Sequence, residues 1–263
     1  MIKDFEVYVI NLEKDKDRLK RFSEVMYPIP YKRIEAVYGK DVDFTNMEEI
    51  FYTSRYLTPR SALGCGLSHR KALKTFLETS KKDYAVICED DATPVNKETL
   101  EKDLEEIVNS APKDWHIIKL DFFPLNTSND FKQYYNSLTT SYLVNKEGAE
   151  KILAHQLFYH VDIDLNFYNI NMYCNKEPLF VQIWDENNIS NNRINHVLID
   201  KVMPSEDSFL SVLPFKAIRI FDVEFTFAFL FLIIFLILLL VVLVYVVKNT
   251  KILKSTKKLF TRK

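Results

Sequence analysis

The stretch that decides the fold is Tyr84–Asp91, YAVICEDD, in which a short apolar run ends in three consecutive carboxylates. Tyr84–Cys88 has the composition of a buried strand, and Glu89, Asp90 and Asp91 follow it directly. In open α/β sheets, ligands bind beyond the carboxyl ends of the strands. Carboxylates that converge there need a cation, and hard divalent ions prefer oxygen ligands. The segment therefore predicts a metal site, although an acidic turn after a strand fits the spacing equally well.

The alternation of a strand suggests how these three acids divide their roles. Successive side chains of a strand point to opposite faces. If the strand continues through the acids, Glu89 and Asp91 share the ligand side, where they hold an ion or its nucleotide, and Asp90 points elsewhere.

Strands alternate with helices on both sides of this stretch, judged by apolar periodicity. That order predicts an α/β fold with a mostly parallel central sheet. The predicted strands are Phe5–Leu12, Tyr31–Val37, Tyr84–Cys88, His116–Leu120 and Ser141–Val144, and the predicted helices are Lys14–Met26, Ser68–Thr79, Lys97–Asn109 and Lys146–His155.

The composition excludes several classes of protein. A hydrophobic content of 48% in 263 residues argues against disorder. The tail from residue 248 holds seven basic residues and no acid, so the rest of the chain has 28 basic and 36 acidic residues, a formal charge of −8. Bulk charge therefore excludes nucleic acid as a partner. The cysteines, Cys65, Cys88 and Cys174, have no CxxC spacing and are interpreted as buried thiols rather than as a disulfide framework or a zinc site.

Glycine is scarce, with only four residues, and two of them lie in the segment Gly64–His69, GCGLSH. Such sparing use predicts positions that need a positive φ or a close approach of another backbone. We expect Ser68 to cap the start of a helix whose end opens onto a phosphate or another polar ligand group. His69, in the first turn of that helix, either contacts the ligand or stabilises the helix.

Two further polar segments are candidates for the site. Asn11 and Leu12 end the first predicted strand, and Arg18 on the next helix either pairs with a nucleotide phosphate or forms an exposed ion pair. Asp162 and Asp164 follow a predicted helix. They supply a general base, bind acceptor hydroxyls, or are solvated loop residues.

A membrane span is predicted at residues 225–247, which are 23 residues without a charge. We divide the chain into a domain at 1–200, a juxtamembrane connector at 201–224, this transmembrane helix, and a basic tail at 248–263. The basic tail favours a cytoplasmic carboxyl terminus. The start of the chain, MIKDFEVYVINL, does not resemble a signal peptide and favours a domain that faces the cytoplasm. The side of the membrane stays open.

Taken in order, these segments resemble glycosyltransferase family 25, the lipooligosaccharide-type enzymes that also include the collagen galactosyltransferases. The resemblance extends over roughly residues 5–190 and takes in all four glycines. His116 and Asp121 depart from the family pattern, which commonly has Asp and Gly there. The matching segments are VINLEKDKDR at Val9–Arg18, AVYG at Ala36–Gly39, GCGLSH at Gly64–His69 and AVICEDDATP at Ala85–Pro94, with weaker matches at Trp115–Leu120, Ser141–Leu153 and Val161–Leu165.

This resemblance implies a GT-A-like nucleotide-sugar-binding domain. It implies metal-dependent, inverting transfer of a hexose, galactose or glucose, from a UDP-sugar to a hydroxyl on a glycan, a lipid-linked glycan or a protein. Mn²⁺ or Mg²⁺ is the expected cofactor, with Asp91 and Glu89 as ligands and Asp162 or Asp164 as the base. The residues expected to bind the donor are Asn11, Leu12, Arg18, Gly64, Ser68, His69, Glu89 and Asp90.

Two other functions remain as alternatives. A membrane-anchored binding or scaffold protein that kept the fold and lost catalysis would be free to lose its acids, yet Glu89, Asp90 and Asp91 are intact. A metal-dependent phosphoesterase would need more histidines near the acids than the sequence has.

Overall fold

A computed structural model describes residues 4–121, 131–133, 139–175, 177–182, 213, 215–220 and 222–260. The strands are β1 (Phe5–Asn11), β2 (Lys32–Glu35), β3 (Tyr84–Glu89), β4 (Ala92–Pro94), β5 (Ile117–Lys119), β6 (Phe131–Gln133), β7 (Ser141–Asn145), β8 (Met172–Asn175), β9 (Phe180–Gln182), β10 (Lys216–Ile220) and β11 (Val223–Thr226). The helices are α1 (Lys16–Met26), α2 (Ser54–Leu57), α3 (Arg60–Thr79), α4 (Leu100–Ser110), α5 (Lys146–Ala154), α6 (Val161–Asp164) and α7 (Phe227–Phe260).

The central sheet has seven strands in the order β2-β1-β3-β7-β5-β8-β6. Strands β1, β2 and β3 are parallel, as are β5 and β8, whereas β7 runs antiparallel to both of its neighbours, β3 and β5. The sheet is therefore mixed, and the predicted α/β class is confirmed. Strand β6 is also antiparallel to β8, so three of the six strand pairings are parallel and three are antiparallel.

Both faces of the sheet are buried, which explains why its strands have continuous apolar runs. Along β1, Phe5, Val7 and Val9 face one core, and Tyr8 and Ile10 face the other. The first core is completed by residues from α1 and α4, and the second by residues from α3 and α5. The two cores fix the strand ends that carry the candidate site.

Two glycines allow the loop after β2 to lie directly on α3. A Cβ at Gly64 would lie 2.7 Å from the backbone nitrogen of Gly39 and 2.7 Å from the carbonyl oxygen of Val37. A Cβ at Gly39 would lie 1.8 Å from the carbonyl oxygen of Arg60. No described glycine has a positive φ. The glycines are therefore required for close backbone approach, one of the two reasons that the sequence predicted.

We expect Gly64→Ala to lower the free energy of unfolding by about 1–3 kcal/mol, because backbone atoms cannot yield to the new methyl group. Gly66→Ala, on the same helix, is the matched control. Its Cβ would meet the Cδ2 of Leu157 at 2.9 Å, and that mobile side-chain end can move aside. Thermal unfolding of both variants in detergent provides the measurement, and equal losses would contradict the close-approach explanation.

The described part of the predicted connector is bonded to the domain. Strands β10 and β11 pair antiparallel and pack on the domain. The guanidinium group of Arg219 donates to the carbonyl oxygens of Arg55 and Tyr56, and Glu224 accepts a hydrogen bond from the backbone N–H of Arg60 at 2.8 Å. Residues 201–212 of the connector lie outside the described residues.

The long apolar helix α7 begins at Phe227, two residues after the predicted start of the span. Phe225 and Thr226 instead pair with Ile218 and Lys216 of β10. Residues 227–249, with a mean hydropathy of 3.7 and no burial inside the protein, are long and apolar enough to cross a membrane.

Candidate active site

A cleft opens at the carboxyl ends of the parallel strands β1, β2 and β3. It holds about 760 Å³ of space, part of it open to solvent. The loop after β2 and the first half of α3 form one wall, and α1 forms another. The lining residues include Leu12, Asp15, Arg18, Tyr38, Lys40, Ser61, Cys65, Ser68, His69, Glu89, Asp90 and Asp91.

Arg18 holds Asp90 and Asp91 together at the base of this cleft. One guanidinium nitrogen, Nη2, lies 2.5 Å from Asp90 Oδ1 and 2.9 Å from Asp91 Oδ2. Asn11 Nδ2 donates to Asp90 Oδ2 at 2.7 Å, and Gln182 Nε2 donates to Asp91 Oδ2 at 3.1 Å. Both oxygens of Asp90 are therefore already bonded within the protein.

Glu89 turns toward a different set of partners. Its Oε1 accepts a hydrogen bond from Thr139 at 3.0 Å and lies 3.6 Å from the Nε2 of His69. The strand alternation predicted for Glu89–Asp91 is wrong, because β3 ends at Glu89 and the next two residues form a turn. Asp90 and Asp91 consequently share Arg18 instead of facing opposite ways.

The carboxylate cluster carries more negative charge than its neighbours neutralise. Glu89, Asp90 and Asp91 against the single charge of Arg18 leave a net −2 when all are ionised. Burial raises the pKa of Asp90 to about 6, and burial with the charge of Glu89 raises the pKa of Asp91 to about 7. Burial also acts to raise the pKa of Glu89, but His69, Thr139 and Arg18 outweigh it and the pKa is lowered.

These features fit a hard divalent cation. Asp91 Oδ1 is buried and has no hydrogen-bond partner among the described residues, and an orphaned buried carboxylate oxygen calls for an explanation such as an ion. A 2+ charge matches the net charge of the cluster. Glu89 and Asp91 are the residues that would hold the ion, since both oxygens of Asp90 are committed to Arg18 and Asn11.

The two predicted base candidates have different surroundings. Asp164 is buried, and its carboxylate accepts hydrogen bonds from the backbone N–H groups of Phe158 and Tyr159 at 2.7 and 2.8 Å. Among the described residues, the Asp162 carboxylate accepts a hydrogen bond from the adjacent N–H of Ile163, at 3.0 Å. Burial and the charge of Glu89 raise the pKa of Asp162 to about 6 against the opposing effect of Lys119. Asp162 thus lies within electrostatic reach of the cleft acids, and Asp164 serves to hold its own loop.

Comparison with known proteins identifies the family of this chain. The family model described as "Glycosyltransferase family 25 (LPS biosynthesis protein)" matches residues 4–167, more than half of the chain. The chain belongs to glycosyltransferase family 25. The predicted resemblance is therefore confirmed, and the family 25 match includes Glu89, Asp91 and Asp162.

The relatives of this family 25 chain include two procollagen galactosyltransferases. Procollagen galactosyltransferase 1-A of Xenopus laevis is 32% identical over 177 residues, which cover 56% of this chain and 28% of that protein. Procollagen galactosyltransferase 2 of Homo sapiens is 29% identical over 173 residues, which cover 57% and 27%. This chain therefore spans about a quarter of the length of these relatives.

A solved structure of a mutant Drosophila β-1,4-galactosyltransferase 7, in complex with manganese, UDP-Gal and xylobiose, is a more distant neighbour. It has a TM-score of 0.32 and 11% identity, with coverage of 85% of this chain and 92% of that one. Such a likeness is too low to assign a mechanism.

The family 25 segment GCGLSH lies inside a helix, not at its start as the sequence predicted. Helix α3 begins at Arg60, directly after Pro59, and a proline at a helix start is the signal that the prediction missed. Ser68 does not cap the helix. Its hydroxyl donates to the carbonyl oxygen of Gly64 at 2.6 Å and accepts from the N–H of Val37 at 2.8 Å. Gly64 and Ser68 therefore hold the loop after β2, which forms one wall of the cleft.

Asn11 and Leu12 lie where the prediction places them, but their surroundings differ. Leu12 lines the cleft. Asn11 is buried, and its amide donates to Asp90 and to the carbonyl oxygen of Asp15 while accepting from Arg33. Asn11 is thus saturated by the protein and positions Asp90.

Sequence reasoning missed a buried ion pair between Lys119, on β5, and Asp121. Lys119 Nζ lies 3.7 Å from Asp121 Oδ1, and both side chains are almost fully buried. Neither atom has a hydrogen-bond partner among the described residues. The sequence did not indicate that Lys119 is buried. It ends the short apolar strand IIK, and a lysine normally marks an exposed position.

The other departure from the family pattern is His116. It is bound by Asn171, Glu147 and Lys151 and does not line the cleft.

Proposed function

We propose that this chain transfers galactose from UDP-galactose to a hydroxyl group of a glycan or a protein, with inversion at the anomeric carbon and with Mn²⁺ or Mg²⁺ as cofactor. The observation that carries the proposal is the carboxylate cluster at the carboxyl ends of β1 and β3. It has a net charge of −2 when all its groups are ionised, and the Oδ1 of Asp91 has no hydrogen-bond partner among the described residues. Galactose is preferred to glucose because the relatives are galactosyltransferases.

The residues of the chain divide the work between the two reacting groups. Glu89 and Asp91 would hold the divalent ion, which would supply positive charge to screen the diphosphate and to stabilise the leaving UDP. Arg18 and Asn11 orient Asp90 and Asp91, so that the carboxylates are positioned before the donor binds. Asp162 accepts the proton of the acceptor hydroxyl as its oxygen attacks the anomeric carbon and the bond from that carbon to UDP breaks.

The test is donor turnover by the full chain in detergent. UDP release from UDP-galactose should require Mn²⁺ or Mg²⁺ and should disappear when EDTA is added. UDP-glucose, tested in parallel, should react more slowly. If UDP-galactose is neither turned over nor bound by calorimetry in the presence of metal, the proposal fails and a binding or scaffold role is favoured.

We also propose that α7 crosses the bilayer once and anchors the domain. The support is its length, its apolar composition and its lack of burial against the described part of the protein. The full chain should stay in the membrane pellet after alkaline carbonate extraction, whereas recovery in the supernatant would contradict the anchor.

A further inference from the structure

A second set of ligating atoms lies in the cleft beside the carboxylate cluster. The ligand atoms of Cys65, His69 and Glu89 all lie within 4.8 Å of one another. They are a thiol sulfur, an imidazole nitrogen and a carboxylate oxygen. This combination of ligands is uncommon for manganese. The combination differs chemically from the all-oxygen pair of Glu89 and Asp91.

The backbone explains why these three side chains converge. Cys65 and His69 are four residues apart on α3, so they lie on the same face of the helix, one turn apart. Glu89 is the last residue of β3, and its side chain faces that helix. All three line the same cleft, which leaves an open side toward any bound ligand.

The imidazole of His69 is the independent observation that points to an ion. His69 is 1% exposed, and its Nδ1 lies 3.0 Å from the hydroxyl of Tyr142. Its Nε2 is buried, has no hydrogen-bond partner among the described residues and faces Glu89 at 3.6 Å, beyond hydrogen-bonding distance. A ring fixed through one nitrogen, with the other directed at further ligands, is the usual arrangement of a metal-bound histidine.

We infer that Cys65, His69 and Glu89 form a binding site for a zinc-class divalent ion, with an open coordination position that faces the cleft. Thiolate, imidazole and carboxylate form a three-residue set of the kind that binds zinc at sites with an open fourth position. Metal–ligand bonds of about 2.0–2.3 Å require the three atoms to move closer together, so the Cys65 and Glu89 side chains would have to rotate toward His69.

This inference deepens the proposed function because the two ions share Glu89. Zinc at this site withdraws a carboxylate from the manganese site, so zinc is expected to inhibit manganese-dependent turnover. The zinc site does not need Asp91, whose partners are Arg18 and Gln182. That difference allows the two sites to be separated by mutation.

Cobalt(II) titration of the full chain in detergent tests the site without measuring activity. Thiolate ligation gives a charge-transfer band in the near ultraviolet, and one equivalent of zinc should remove it. Cys65→Ser should abolish the band and weaken zinc binding at least about tenfold. His69→Gln should weaken zinc binding similarly. Cys174→Ser is the matched control, since Cys174 lies on β8 outside the cluster, and it should keep the full band.

The outcomes distinguish the inference from the proposed function. Asp91→Asn should keep the cobalt band while losing the response to UDP-galactose. Absence of a band in the wild type, or a band that survives in Cys65→Ser with a normal circular-dichroism spectrum, overturns the zinc site. A cobalt band in a protein that neither turns over nor binds UDP-galactose contradicts the proposed function and leaves the zinc site standing.

Discussion

Replacing Asp91 by Asn is expected to lower metal-dependent UDP-galactose turnover by at least about 100-fold, the usual cost of removing one group that stabilises developing charge. Asn keeps the shape of the side chain but lacks the negative charge that a hard cation requires. The Oδ1 of Asp91 is the buried oxygen without a partner, so its loss removes the ligand that the structure leaves available.

The same substitution should not destabilise the protein. Burial and the charge of Glu89 raise the pKa of Asp91, so the ionised carboxylate is held at a cost in the absence of metal. We therefore expect the metal-free melting temperature of Asp91→Asn to equal or exceed that of the wild type. The control is Glu105→Gln, which removes one negative charge at an exposed position on α4. Unchanged turnover in Asp91→Asn would remove Asp91 from the metal site.

Strands β1 and β3 were predictable because burial on both faces of the sheet leaves a local signature. The runs at Phe5–Leu12 and Tyr84–Cys88 fall within a residue of β1 and β3. The fold class and the position of the acidic cluster at a sheet edge follow from the same signature. These features depend on residues that are neighbours in the chain.

The detailed site was not predictable because its contacts join residues far apart in sequence. Arg18 and Asp91 are 73 positions apart, and no local pattern indicates that one guanidinium spans two carboxylates. The start of α3 was misplaced for a related reason. Gly64 and Gly66 suggested a loop before the helix, whereas Gly64 stands inside it to admit the backbone of Val37 and Gly39.

The pair Asp162 and Asp164 shows the same limit at a smaller scale. Both acids fit the base role by spacing, and both lie on the short helix α6. Only the structure shows that the Asp164 carboxylate is occupied by two backbone N–H groups. A carboxylate saturated in this way is held by the fold and is a poor candidate to accept a substrate proton.

Asp162→Asn is accordingly expected to lower kcat for UDP-galactose by about 100-fold or more, the usual contribution of a general base, with little change in the binding of UDP. Hydrolysis of UDP-galactose, with water as acceptor, provides the rate, and calorimetry provides the affinity for UDP. Asp164→Asn should instead lower the melting temperature, because it weakens the bonds to Phe158 and Tyr159, and should keep kcat at temperatures where it is folded.

The pH profile separates a base from a residue that merely shapes the site. Burial and the charge of Glu89 raise the pKa of Asp162 to about 6 and Lys119 opposes them, so the wild type should lose activity as pH falls through about 6 and the carboxylate takes up a proton. At saturating metal, which keeps Asp91 ionised, the side chain of Asp162→Asn has no proton to take up, so the residual rate should fall less steeply across that range than the rate of the wild type. If the acidic limb persists unchanged in Asp162→Asn, another group is the base, and Asp162 is reduced to a contact of the acceptor site.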